Sequence, residues 1–168
     1  DWDKRREGDE FAPSGGKVPI LWDDKSVIWD SLAIVEWLAD KTDRARYWPR
    51  DDEARGMARS MAAEMHSGYE NLRRELTMNL RKQVPTRDLS EEVRAEVIRI
   101  LELWAEARPR HGSGGPYLFG DFGAVDIMFA PVVTRFVTYA TPVPRFAAAY
   151  METILDHAWM KDWIDAAQ

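Results

Sequence analysis

The 168-residue sequence contains no cysteine. Within these residues that excludes disulfides, thiolate metal sites and a cysteine nucleophile. Histidine is scarce too. His66, His111 and His157 stand far apart without metal-ligand spacing, so no metal is expected. No apolar run reaches the roughly 18 residues that a membrane-spanning helix needs, and the opening Asp1-Trp2-Asp3-Lys4-Arg5 does not read as a secretion signal. Membrane association is therefore not expected, and the lack of cysteine fits a reducing cytoplasm. An excess of positive charge is also missing: Lys and Arg number 23 against 29 Asp and Glu, for a net charge of −6. A general nucleic-acid binder is more often basic, so no nucleic-acid partner is expected. Arg44, Arg46, Arg50, Arg55, Arg59, Arg73, Arg74 and Arg81 alternate with acids and read mostly as solvated helix faces.

Two catalytic signatures are absent as well. Gly15-Gly16-Lys17 resembles the end of a phosphate-binding loop, but that motif needs Gly at position 11 and a hydroxyl at 18, where Phe11 and Val18 stand. No Gly-x-Ser-x-Gly elbow occurs. What is plentiful is tryptophan, with eight residues, in a chain that is 45% apolar and 31% charged. That balance is ordinary for a soluble globular protein, and the tryptophans predict a core rich in large rings.

The chain changes character along its length. Residues 1–16 are polar, carry Gly8, Pro13, Gly15 and Gly16, and read as a loop with one irregular helical turn. Two short apolar runs follow, Val18 to Trp22 and Val27 to Trp29, around Asp23-Asp24-Lys25-Ser26. This is a β-hairpin signal, although Asp-Asp is a weaker turn pair than Asp-Gly. At Asp30 the period becomes helical, with Leu32, Val35 and Leu38 on one face and Asp30 or Ser31 as the cap. This helix is expected to end near Asp40. Residues 43–51 form a charged link, placed as the boundary between a domain at 1–42 and one at 52–168. Beyond it Ala54, Met57, Met61, Met65, Gly68, Leu72, Leu76 and Leu80 recur at steps of three and four, which predicts one long helix ending before Pro85. A second helix should run from Ser90 and stop before Pro109. A third, from Ala124 to about Tyr139, is apolar on nearly all sides and should be the buried central helix. Two shorter helices, near 145–155 and 159–167, complete the pattern.

A hairpin and helix followed by five helices resembles the tail of a thioredoxin-like domain joined to an all-helical domain, the organisation of cytosolic, bacterial-type glutathione S-transferases. Pro13-Ser14-Gly15-Gly16-Lys17-Val18-Pro19 resembles that family's loop into its third strand, where the Val-Pro bond is cis. Val27-Ile28-Trp29-Asp30-Ser31-Leu32 is similar to its strand, acidic-Ser pair and helix. The fold implied is α+β with two domains, a partial thioredoxin-like domain followed by an all-α bundle. Glutathione is implied as co-substrate, with no metal. Val18, oriented by Pro19, would pair through its backbone with the cysteinyl part. Ser31 would hold the glutamyl α-carboxylate, Asp30 would sit near the ammonium, and Lys17 could reach the glycyl carboxylate. A helix N-terminus suits an anion in any case, through its amides and dipole.

Gly120-Asp121-Phe122-Gly123-Ala124-Val125-Asp126 resembles the family's capping box, with Gly123 where Ser or Thr is usual. Asp126 therefore reads as structural, and its replacement by Ala should weaken folding. The stretch from Ala63 to Arg73 resembles the helix that faces the family's cleft and dimer axis. It suggests Ser67, Tyr69, Arg73 and, further on, Met78 as substrate-pocket residues, with Tyr69 and Met78 reading more readily as core.

The activity implied is attack of the glutathione thiolate on a small hydrophobic electrophile in an apolar pocket, in a homodimer. A glutathione-dependent isomerase or dehalogenase, or a non-catalytic protein-binding module of the same family, remain alternatives. The family's thiol-activating residue lies in an opening strand–helix–strand unit of about 30 residues or more. Too few residues precede Val18, so the unit is expected to lie outside this sequence and the catalytic residue is unassigned.

Overall fold

The computed structural model describes residues 8–167, and the expectations for residues 1–7 lie outside them. The chain divides into two compact units, Asp1–Trp48 and Pro49–Gln168. In the first, a short 3-10 turn at Asp9–Ser14 leads into strand β1 (Ile20–Asp23), strand β2 (Ser26–Trp29) and helix α1 (Ser31–Lys41). The strands pair antiparallel from Ile20 opposite Trp29 to Asp23 opposite Ser26. Asp24 turns the chain at φ 51, a conformation that Asp tolerates. Trp37 of α1 donates to Asp23 across 2.9 Å, and Lys41 lies 4.8 Å from the Trp37 ring centre, which ties the helix to the hairpin.

The second unit contains α2 (Asp52–Ser67), α3 (Glu70–Glu75), α4 (Glu91–His111), α5 (Ala124–Thr138), α6 (Arg145–Asp156) and α7 (Ala158–Ala166). Asp51 caps α2 through Ala54, and Ser90 caps α4 through Val93. The core gathers around α5, which buries Val125, Met128, Phe129, Val132, Val133 and Phe136. Trp104 of α4 packs against it, edge-on to Phe129 with centroids 5.7 Å apart and 4.8 Å from Tyr150 of α6. The central helix predicted from its apolar surface is thus found.

Three expectations fail. The long helix is two helices with an irregular tail. At the junction Gly68 is extended and Tyr69 takes φ 60. A Cβ on Gly68 would meet the Glu64 carbonyl at 2.7 Å. After Glu75 the segment bonds to the end of α5 and its loop and, through Asn79 Oδ1, to its own Arg81 and Lys82 amides, with no helical ladder. Val84 N–H donates to Thr138 O across 2.7 Å, Thr138 Oγ1 donates to Asn79 O across 2.6 Å, and Thr86 Oγ1 donates to Ala140 O across 3.1 Å. The apolar stripe nevertheless continues through buried Met65, Leu72 and Leu76, which is why periodicity alone does not reveal the break. Helix α4 also runs past Pro109 to His111. The carbonyl left without a donor belongs to Ala105, an exposed residue where water can serve. Finally, of the seven described tryptophans only Trp48 and Trp104 are fully buried, while Trp22, Trp29, Trp159 and Trp163 are exposed. Among the described residues no helix is long and apolar enough to cross a membrane.

Candidate functional site

The hairpin register brings the two sequence motifs to one place. Ile20 and Trp29 are the last paired residues at the open end of the hairpin. Val18-Pro19 lies directly before the one and Asp30-Ser31 directly after the other. The Val18–Pro19 peptide is cis, and Val18 is 46% exposed. Lys17, also exposed, precedes it. The loop is held from within by Ser14, which sequence reasoning missed. Its buried Oγ lies 3.0 Å from Phe11 O and 2.6 Å from Lys17 O, so it fixes the backbone just ahead of Val18. A lone Ser beside two glycines carries no signal for that role.

On the other side, Asp30 has φ 78 and ψ 130. For a non-glycine residue this is a sparsely populated region that costs about 1–3 kcal/mol and is found most often at clamps and active sites. The conformation turns the Asp30 carboxylate onto the start of α1, where Oδ1 accepts from Leu32 N–H at 2.9 Å and from Ala33 N–H at 3.4 Å. Ser31 is the first residue of α1. Its amide and hydroxyl stand at the positive end of the helix dipole, ahead of the two amides that Asp30 occupies. Asp30 is therefore first of all the helix cap, a part that the sequence allowed to either residue.

The other candidates belong to the helical unit. Ser67 is exposed, with Oγ donating to Ala63 O across 2.9 Å. Tyr69 is 7% exposed and donates its hydroxyl to Glu64 across 2.9 Å. Glu64 also accepts both arms of the Arg99 fork, at 2.8 and 2.9 Å, and that pairing holds its carboxyl below the usual range. Burial, helped by Glu64, pushes the Tyr69 hydroxyl well up. Arg73 is not a solvated face. Its guanidinium donates to Gly68 O at 3.0 Å, Met65 O at 2.5 Å and His66 O at 3.3 Å, and so covers the open carbonyls at the end of α2. Met78 is half-buried in the irregular segment after α3.

The Gly123 capping site has the arrangement its sequence suggests. Gly123 N–H donates to Asp126 Oδ2 across 2.9 Å, and the buried Tyr150 hydroxyl donates to Oδ1 across 2.9 Å. Gly123 has no side chain to return the bond, so only half of the reciprocal box is present. Burial raises the Asp126 carboxyl to about 6 against the pull of these donors.

Residues 1–41 match the family model described as glutathione S-transferase, N-terminal domain, and residues 87–166 match glutathione S-transferase, C-terminal domain. The chain belongs to the glutathione S-transferase family. Its two-strand sheet and helices fit that family's thioredoxin-like domain and helical domain. Among solved structures it is similar to a glutathione transferase homologue from Burkholderia with bound glutathione, at 21% identity and a TM-score of 0.69, covering 96% of this chain and 78% of that one. It is also similar to a Tau class glutathione S-transferase from mango, Mangifera indica, at 19% identity and a TM-score of 0.65, covering 92% and 74%. A third, a homologue from Lodderomyces elongisporus with two glutathione molecules per subunit, has 13% identity and a TM-score of 0.69 over 100% and 85%. At these identities the likeness is one of fold. No curated protein matches the chain.

Proposed function

We propose that this protein binds glutathione at the open end of its hairpin and transfers the thiolate to a small apolar electrophile. Residues 1–42 supply the glutathione side and 52–168 the helical side, joined by 43–51. The observation that carries the reading is the start of α1. Asp30, held at φ 78, occupies the Leu32 and Ala33 amides, and Ser31 at the first helical position presents its amide and hydroxyl to an anion. In this reading Ser31 takes the glutamyl α-carboxylate, and Asp30 sits near the ammonium. The Val18 backbone pairs with the cysteinyl part, with Pro19 setting its direction. Lys17 meets the glycyl carboxylate. Family membership and the Burkholderia homologue's bound glutathione support it.

Ser67, Tyr69, Arg73 and Met78 belong to the electrophile's pocket in the same reading. Tyr69 and Arg73 serve it as supports, since their polar groups are committed to Glu64 and to the end of α2. A homodimer acting in the cytoplasm is also part of the reading, and no residue is assigned to thiol activation. The test is an amide NMR titration of the whole chain with glutathione. Saturable shifts confined to residues 17–18 and 30–33 are expected, and shifts elsewhere with none at those positions would overturn the site. Consumption of the thiol by an aryl halide then separates a transferase from a binding module.

A further inference from the structure

A cleft of about 420 Å³ opens in the helical unit between the irregular segment 79–83 and the C-terminal half of α5, with α6 and α7 contributing Leu155 and Ile164. Four of the residues that line it are apolar: Leu80, Val137, Leu155 and Ile164. Helix α5 is buried at every position from Val132 to Thr138 except Val137, which is 43% exposed. The cleft is where that helix opens. Leu80, Leu155 and Ile164 are each only half-buried. Apolar surface left open in a concavity is the surface that an apolar ligand covers.

The same cleft carries two cations, Arg81 and Lys82, and among the described residues no acid lines it. In a chain with 29 acids against 23 bases, that sign is a local property of this corner. No carboxylate pairs with Lys82 among the described residues. The segment that carries both cations is irregular, yet it is fixed. Asn79 Oδ1 accepts from Arg81 N–H at 2.9 Å and from Lys82 N–H at 2.8 Å. Thr138 Oγ1 donates to Asn79 O across 2.6 Å, and Val84 N–H donates to Thr138 O across 2.7 Å. These bonds tie the segment to α5 on both sides of the cations. The cleft therefore exists before a ligand arrives, which lowers the ordering cost of binding.

We propose that this cleft binds a small amphipathic carboxylate, with a short alkyl body against Val137, Leu155 and Ile164 and its charged end at Lys82 and Arg81. Apolar lining favours the body, and the cations favour an anion at one end of it. An ammonium on the same body would meet charge of its own sign. The cleft shares no residue with those assigned above to glutathione or to its electrophile, so the proposal does not depend on the glutathione reading.

The test titrates hexanoate into the whole chain at constant ionic strength, with hexanol and hexylamine as neutral and cationic analogues of the same body. Amide and methyl signals are followed by NMR. Hexanoate should move the signals of residues 79–83, 134–138, 155 and 164 saturably, and should bind severalfold more tightly than hexanol. Hexylamine should bind least. From butyrate to hexanoate, affinity should rise about fourfold for each methylene buried. The double variant Arg81→Gln with Lys82→Gln alters two exposed side chains and should bring hexanoate down to the affinity of hexanol. Cleft signals indifferent to hexanoate would overturn the proposal, and so would hexanol or hexylamine binding as tightly as hexanoate. A preference for hexanoate over hexanol that survives in the double variant would overturn the role of the two cations. Equal affinity for butyrate and hexanoate would overturn the apolar contact. The titrations of the unsubstituted protein decide the question even if the double variant fails to fold.

Discussion

Asp126 carries two hydrogen bonds on one carboxyl that is 1% exposed. Desolvation outweighs both donors and lifts it from an ordinary 3.8 to about 6. A folded-state pKa above the unfolded one means that the native state holds the proton more tightly. The Asp126 contribution is therefore fully present below about pH 4 and is lost as pH rises through about 6. The shift corresponds to about 3 kcal/mol. Denaturant unfolding between pH 4 and 7 should show this loss, and Asp126→Asn should flatten that part of the profile. Asp126→Ala instead leaves the Tyr150 hydroxyl buried without its acceptor and Gly123 N–H uncapped, at a cost of about 2–4 kcal/mol. The structural role of Asp126 was legible from its spacing to Gly123. Its partner Tyr150, 24 residues on, was not, because no local pattern marks a contact at that distance.

At the scale of elements, the junction of α2 and α3 is where sequence and structure part. Leu72 and Leu76 continue the stripe of α2 and hide the break at Gly68 and Tyr69. The groups that stabilise it act across elements. Arg73 reaches back over the α2 carbonyls. Glu96 of α4 accepts from Asn71 N–H at 3.3 Å, Asn71 Nδ2 at 2.9 Å and Leu72 N–H at 2.7 Å, and so caps α3 from outside. A six-residue helix is too short to hold itself in water. Glu96→Ala should cost about 1–3 kcal/mol, and hydrogen exchange should show protection falling at 70–76 while α5 stays protected. Arg73→Met should cost about 1.5–3 kcal/mol, read by urea unfolding, and a surface arginine would cost nearly nothing. The hairpin, α1 and α5 were legible because their signals are local: two apolar runs around a turn, a cap followed by a helical period, and a helix apolar on nearly all sides. The irregular stretch after Glu75 was not, since its backbone partners come from Asn79, Thr138 and Ala140.

At the scale of the whole molecule, a hairpin and helix followed by helices, with Val18-Pro19 and Asp30-Ser31 at its joints, resembled the family, and the two family models agree. What the order did not reveal was the conformation of Asp30, because a positive φ at an Asp leaves no mark in sequence. The proposed function rests on the first turn of α1 receiving the glutamyl carboxylate. Calorimetry of the whole chain with glutathione, comparing the unsubstituted protein with Ser31→Ala, tests this most directly. Asp30 still caps the helix in the variant, so the fold is retained. Loss of a charge-assisted hydrogen bond of about 1.5–3 kcal/mol should weaken binding by roughly 10- to 100-fold. Equal affinity in the two proteins, or no binding by the unsubstituted chain, would contradict the account.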